Sequence, residues 1–247
     1  LGNGDQMVSV QARFIEAKNL INNAIELQKT QQTEEAKLKL AAALELCDSA
    51  MVIDPKNAEV YVQKGRALLI LNKIAEALAC FEAAIYFDTE NPMALFFKGF
   101  VLHYIADYEE AIKYFGKALE INPGLIDAWR YNGNCYLSLE QDEEAISCFT
   151  RGLELCPRDI DLLLAKGEIC EKLEKKEEAL EAYTKAIECQ SSTPDPYLKK
   201  IKLLEISEAE FETILPVIEE AVAHHPQNYE LHYAKGRALM GLSRFEE

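Results

Sequence analysis

The sequence predicts an all-α fold in which helical hairpins stack one after another, and three observations support this prediction. Related segments begin 34 residues apart, at Ala58, Pro92, Ile126 and Ile160. Each segment holds two stretches of about 13 residues with helical periodicity, separated by turn-like residues. The same residue types recur at fixed places within each copy. A hairpin of this size cannot bury its apolar side alone, so neighbouring copies are expected to stack into a solenoid.

The recurring residues indicate how the helices pack. Small residues at two places let the paired helices of one copy approach closely. The aromatic side chain is too large for one hairpin to bury, so it is expected to lie against the first helix of the next copy. These residues are glycine at the eighth place (Gly65, Gly99, Gly133, Gly167), alanine at the twentieth (Ala77, Ala111, Ala145, Ala179) and an aromatic residue at the twenty-fourth (Phe81, Phe115, Phe149, Tyr183).

This combination of spacing and residue types resembles the tetratricopeptide repeat (TPR). Proline at the thirty-second place, where it ends the second helix, agrees with that resemblance (Pro55, Pro123, Pro157), and Pro226 has the corresponding place in the last full copy, which is one residue longer. The resemblance implies a right-handed superhelical solenoid of helix-turn-helix hairpins. It also implies that function lies in binding other proteins, on the concave surface that the first helices form.

The repeats predict an ordered division of the chain. Residues 1–57 are a lead followed by an atypical, extended first hairpin with helical patterns at 6–29 and 33–53. Five copies follow, at 58–91, 92–125, 126–159, 160–193 and 194–228, and the last of these has Ile201 at the glycine place. Residues 229–247 form a truncated copy that stops inside the opening of a second helix. That stop favours a fragment of a longer protein, or a copy that lacks its last helix.

Composition narrows the class of partner. The 26 basic and 42 acidic residues give a formal charge of −16, which would repel nucleic acid and anionic membranes. No apolar run approaches the roughly 18 residues that a membrane span requires. The seven cysteines include no CxxC pair, so they are expected to be reduced thiols used as small apolar residues. The sequence therefore predicts a cytoplasmic protein that binds a protein or peptide.

Motifs for catalysis are missing from the sequence. It contains no GxGxxG, P-loop, HExxH or GxSxG pattern, and its four histidines lack the spacing of a metal site. We therefore expect no catalytic residue, no metal, no cofactor and no enzymatic activity in this chain.

The TPR resemblance assigns the binding surface to places two, five, six, nine, twelve and thirteen of the first helices. These places predict a groove with an apolar, aromatic centre and cationic shoulders. Two interpretations of the aromatic residues stay open: they pack as core, or Phe96, Phe100 and Tyr104 are exposed because they recur at i, i+4 and i+8 on one helix face. The predicted groove residues are Gln63, Arg66, Met93, Phe96, Phe97, Phe100, Tyr104, Arg130, Tyr131 and Asn134.

The main functional prediction is a non-catalytic scaffold or adaptor that binds a partner peptide or helix in this groove. A second hypothesis is a co-chaperone-like protein that binds acidic chaperone tails through a carboxylate clamp. Lys18 and Asn22 have the opening spacing of that clamp, but Gln63, Met93 and Phe97 occupy its later places. The sequence is also compatible with a self-associating module, a homo-oligomer through the terminal repeats, and the TPR arm of a larger enzyme.

Overall fold

The described part of the protein is entirely helical. The computed structural model describes residues 3–189, 192–207 and 210–242, with side chains from Ser9 onward. Thirteen α-helices lie within these residues and group into two compact units, Leu1–Leu139 and Glu140–Glu247. The helices of the first unit are α1 (Asn3–Lys29), α2 (Thr33–Ile53), α3 (Ala58–Ile70), α4 (Ile74–Phe87), α5 (Pro92–Tyr104), α6 (Tyr108–Ile121) and α7 (Ile126–Ser138). Those of the second are α8 (Asp142–Leu155), α9 (Ile160–Lys172), α10 (Lys176–Glu188), α11 (Asp195–Ile206), α12 (Phe211–His224) and α13 (Tyr229–Gly241).

Local sequence signals fix where several of the helices begin. The side chain of Asn57 accepts a hydrogen bond from the backbone N–H of Val60, and Asn91 caps α5 in the same way through Ala94. Such caps satisfy backbone donors that a helix leaves without a partner in its first turn. The first helices of the repeats therefore begin at the residues where the 34-residue pattern begins.

The turn inside a hairpin uses one residue in the left-handed conformation, and none of these residues is glycine. Asn72, Ala106, Glu140 and Glu174 have φ between 58° and 63°, and they are spaced 34 residues apart. In three of these turns an amide bonds the carbonyl five residues earlier, as Lys73 N does to Leu68 O at 2.9 Å. This is the Schellman arrangement, which closes the first helix and reverses the chain.

The two helices of a hairpin meet at the glycine place. A Cβ atom added to Gly65 would lie 2.5 Å from Cε1 of Phe81, and one added to Gly99 would lie 2.9 Å from Cδ1 of Phe115. The rings of Phe81 and Phe115 are fully buried. Glycine is therefore required here because the aromatic ring of the second helix occupies the space of a side chain.

The first hairpin packs differently, because small side chains form most of its interface. Ala17, Ile21 and Ala24 of α1 are fully buried against Ala36, Leu40, Ala43 and Ala50 of α2. Alanine allows the two long helices to approach along several turns. The structure thus contains the extended first hairpin, with α1 beginning at Asn3 rather than at residue 6.

In the second unit the glycine–aromatic contact recurs between α9 and α10 and is replaced at the corresponding place of α11. Tyr183 of α10 fills the space beside Gly167 of α9, so that an added Cβ would collide with its ring. At the corresponding place α11 carries Ile201, which is buried in a cluster with Ile214 and Ile218 of α12. An aliphatic contact thus replaces glycine and aromatic ring in this copy. Among the described residues, no helix is long and apolar enough to cross a membrane.

Candidate binding groove

The candidate groove lies in the first unit, on the surface where first helices lie side by side. Helix α3 packs against α1 and α5, and α5 also packs against α7. We call the surface shared by these four helices the first-helix face. All the predicted groove residues lie on α3, α5 or α7, three of the four helices that form this face, but some of their side chains are buried and others are exposed.

An aromatic cluster occupies the centre of this face. Phe96 is at its middle, with its ring centroid 5.0 Å from that of Phe97, 5.8 Å from Phe115 and 6.2 Å from Tyr131. Phe100 meets Tyr131 edge to face at 5.0 Å. Aromatic pairs at these distances attract one another beyond the effect of burial. The cluster, which comprises Phe96, Phe97, Phe100, His103, Phe115 and Tyr131, therefore joins α5 to α6 and α7.

The expectation that Phe96 is exposed is wrong. Its side chain is 7% exposed, Phe100 is half-buried and Tyr104 is 62% exposed. The reason is helix geometry: 3.6 residues per turn rotate each i+4 step by about 40°, so Tyr104 points about 80° away from Phe96. The aromatic residues of α5 thus change from buried to exposed along the helix. The core interpretation holds for Phe96, and the exposed interpretation holds for Tyr104.

Two of the groove residues also join consecutive copies. The ring of Phe97 stacks on Phe81 of α4 at 5.3 Å, and Tyr131 stacks on Phe115 of α6 at 6.2 Å. Phe81 and Phe115 hold the twenty-fourth place of their copies. The aromatic residue of one second helix therefore does lie against the first helix of the next copy, as the repeat pattern predicts. Phe97 and Tyr131 are half-buried as a consequence.

Arg66 lies at one edge of the aromatic cluster. Its Nη1 donates to Oε1 of Gln63 at 2.8 Å, and its Nη2 donates to Oδ1 of Asn22 at 3.1 Å. The guanidinium carbon lies 5.6 Å from the centre of the Phe97 ring. Burial lowers the pKa of Arg66 from its ordinary value. Arg66 is thus a half-buried cation held by two neutral amides and an aromatic ring.

Arg130 stands in a different environment on the other side of the cluster. It forms an ion pair with Asp127, one turn earlier on α7, and its guanidinium carbon lies 5.5 Å from the centre of the Tyr131 ring. The two predicted cationic shoulders therefore differ, because an adjacent carboxylate neutralises Arg130. Asn134, one turn further along α7, is half-buried.

The structure gives Gln63 and Asn22 contacts that the repeat pattern does not indicate. Gln63, predicted as a groove residue, is 5% exposed and serves mainly to hold Arg66. Asn22 belongs to α1, where the 34-residue pattern does not apply, so its contact with Arg66 could not be predicted from the repeat. Burial lowers the pKa of His103, which favours a neutral imidazole beside Tyr131.

A separate cleft lies in the second unit, near the ends of α10 and α12. It has a volume of about 630 Å³ and is lined by residues that include Tyr197, Glu220 and His224. Tyr197 donates to Glu220 at 3.0 Å, and burial, aided by that bond, raises the pKa of Tyr197 to about 12. The phenol therefore stays protonated near neutral pH. Within the described ranges, no group of three His, Cys, Asp or Glu side chains could hold a metal ion.

Comparison with known families agrees with the repeat geometry. Models of the tetratricopeptide repeat match residues 58–91, 106–169 and 160–192. The chain is a tetratricopeptide repeat protein. Members of this family typically mediate protein–protein interactions. No curated protein matches this TPR chain by sequence at a significant level.

Solved structures share the fold of this TPR chain at low sequence identity. PilF of Pseudomonas aeruginosa has a TM-score of 0.66 and 19% identity, over 92% of this chain and 99% of that one. YrrB, described as a TPR protein with an unusual peptide-binding site, has a TM-score of 0.63 and 23% identity, over 76% and 97%. A TPR protein of Parabacteroides merdae has a TM-score of 0.60 and 18% identity, over 94% and 88%. At these identities the likeness concerns the fold alone.

Proposed function

We propose that this chain is a non-catalytic adaptor whose first-helix face binds an extended or helical segment of a partner protein. The observation that carries the proposal is the graded exposure of the aromatic residues on α5. The inner ring, Phe96, is packed among four other rings, whereas Tyr104 offers most of its side chain to solvent. Because the packed rings are already fixed, a ligand that binds to the exposed rings beside them costs little conformational entropy.

The apolar residues beside Tyr104 enlarge the surface that a partner would cover. Met93 and Phe100 are half-buried on the same helix, and Ile105 follows Tyr104 with its side chain 54% exposed. Large apolar side chains that stay exposed next to polar groups are typical of interaction sites. Arg66 and Asn134 flank this surface and would orient the bound segment. TPR proteins bind proteins or peptides in general, and this family property agrees with the proposal.

A selection from a random peptide library on the immobilised protein tests the proposal. Peptides enriched on the native protein are then measured on Tyr104→Ala and on Tyr86→Ala. Tyr86 is a matched control because it is 80% exposed at the end of α4, outside the aromatic cluster. Loss of an aromatic anchor typically costs about 2 kcal/mol or more of binding free energy. We expect the Tyr104 variant to bind at least about 30-fold more weakly and the Tyr86 variant to bind normally.

The contrary outcomes are equally specific. Peptides that bind both variants as well as the native protein would place the binding surface elsewhere. Thermal melting of Tyr104→Ala provides the control for folding, since truncation of an exposed side chain changes stability by about 0.5 kcal/mol or less.

A further inference from the structure

Arg66 differs from the other cations that contact a neighbouring helix in the first unit. Lys64 pairs with Asp48 at 2.7 Å, and Lys98 pairs with Glu82 at 2.9 Å. Among the residues that the structure describes, no carboxylate lies within 4.0 Å of Arg66. The chain carries 42 acidic residues, so a half-buried cation without an acidic neighbour is an unusual feature of this surface.

The hydrogen bonds of Arg66 leave part of its guanidinium unused, and that part can only donate. Arginine can only donate, so the oxygens of Gln63 and Asn22 must face it, and their NH₂ groups point away from it. Two of the five N–H groups of the guanidinium are used in these bonds, which leaves three. A ligand group that fits this surface must therefore accept hydrogen bonds, and a carboxylate does so without donating.

Burial strengthens the preference for an anion. A cation that is partly removed from water loses hydration, and a counter-charge restores more free energy there than it would in bulk solvent. The lowered pKa of Arg66 has burial as its cause and agrees with an uncompensated charge. The guanidinium carbon lies 5.6 Å from the centre of the Phe97 ring, and a guanidinium binds a carboxylate through two parallel N–H groups at the edge of its plane.

We propose that Arg66, supported by Asn22 and Gln63, binds an aspartate or glutamate side chain of the partner segment, next to an apolar residue that contacts the aromatic cluster. This inference rests on the proposed function and names the chemistry of its ligand. A side chain is favoured over a chain terminus because α1 continues the face on one side of Arg66 and α5 on the other. The site also differs from the two-carboxylate clamp, whose later places hold Gln63, Met93 and Phe97.

Paired synthetic peptides test this assignment on the full chain. The probes are nine-residue peptides, acetylated and amidated, with a Leu-Phe pair at each position in turn and a single Glu at each remaining position. Every Glu peptide has a matched Gln peptide. We expect the best Glu peptide to bind about tenfold more tightly than its Gln partner (about 1.4 kcal/mol), and the ratio to fall as salt is raised.

Two variants locate the effect. Arg66→Gln removes the charge and keeps a polar side chain, and it should bind the Glu and Gln peptides equally. Lys98→Gln is the matched control, because Lys98 already pairs with Glu82 at 2.9 Å and is not one of the predicted groove residues, and it should keep the tenfold preference. Arg66→Lys should keep part of the preference, since it retains the charge and loses the planar fork. If Arg66→Gln does not fold, Arg66→Lys decides, because a preference unchanged at tenfold would show that the planar fork of Arg66 does not bind the Glu side chain.

The outcomes separate this inference from the proposed function. Equal binding of Glu and Gln peptides to the native chain would overturn the inference and leave the groove proposal intact. Binding by no peptide of either series would overturn both. A Gln peptide with a free C-terminal carboxylate that outcompetes the amidated Glu peptide would show that the site takes a chain terminus, against the side-chain assignment.

Discussion

A pair of identical substitutions tests the close approach of the two helices in a hairpin. Gly65 lies in the middle of α3 and Gly116 in the middle of α6, both in the first unit. In a helix interior, replacing glycine with alanine stabilises by about 0.8 to 1.0 kcal/mol on intrinsic preference alone. At Gly116 a new Cβ would meet no atom within 4 Å. We therefore expect Gly116→Ala to raise the free energy of unfolding by about 1 kcal/mol.

At Gly65 the same methyl group would collide with a ring that cannot move freely. Its Cβ would lie 2.5 Å from Phe81, whose ring is fully buried and stacked on Phe97. Overpacking of this kind costs about 1 to 3 kcal/mol. The helix preference is common to both variants and cancels, so Gly65→Ala should be less stable than Gly116→Ala by about 1 to 3 kcal/mol.

Urea unfolding followed by tryptophan fluorescence measures this difference in stability in the first unit, which contains both substitutions. Trp129, the single tryptophan of the chain, lies on α7 of the first unit and donates through Nε1 to the carbonyl of Pro123 at 2.9 Å. Both variants should share the native slope of free energy against urea concentration. If Gly65→Ala were stabilised as much as Gly116→Ala, the hairpin would have room at this place, and the packing argument would fail.

The remaining predictions concern core packing and pH. Phe96→Ala should lower the free energy of unfolding of the first unit by about 3 to 5 kcal/mol, because it empties the centre of the aromatic cluster; an unchanged urea midpoint would contradict the burial of Phe96. Burial raises the pKa of Cys47 from 9.0 to about 12, so above about pH 9 the unfolded chain releases the thiol proton while the folded chain retains it. The free energy of unfolding should therefore fall as pH rises from about 9 towards 12. Between about pH 8 and pH 10, unfolding curves should show a smaller fall in this free energy for Cys47→Ala than for the native chain.

The repeat pattern predicted much of the fold because it records contacts that recur. Glycine and aromatic residues sixteen places apart, such as Gly65 and Phe81, meet in the structure as that pattern implies. The turn-like residues that separate the two helical patterns of a copy include the left-handed residues Asn72, Ala106 and Glu140. The left-handed conformation itself was not predicted, because sequence rules assign it mainly to glycine.

The candidate site was predicted less fully, for physical reasons that the structure makes plain. Spacing placed Phe96, Phe100 and Tyr104 on one helix face but could not show that rotation along the helix buries the first and exposes the last. The two arginines were predicted to be similar cationic shoulders, although Asp127 stands one turn before Arg130 in the sequence and pairs with it in the structure. The contact from Asn22 to Arg66 spans 44 residues and depends on how α1 packs against α3.

The stacking of Phe97 on Phe81, and of Tyr131 on Phe115, limits how the sequence of this surface can evolve. The rings that border the binding surface are also the rings that fasten one repeat to the next. A mutation that reshapes the surface at Phe97 therefore loosens the joint between two hairpins, whatever it does for the partner. Specificity can change most freely at Tyr104, whose side chain is 62% exposed, whereas substitution of a stacked ring also weakens the contact between two repeats.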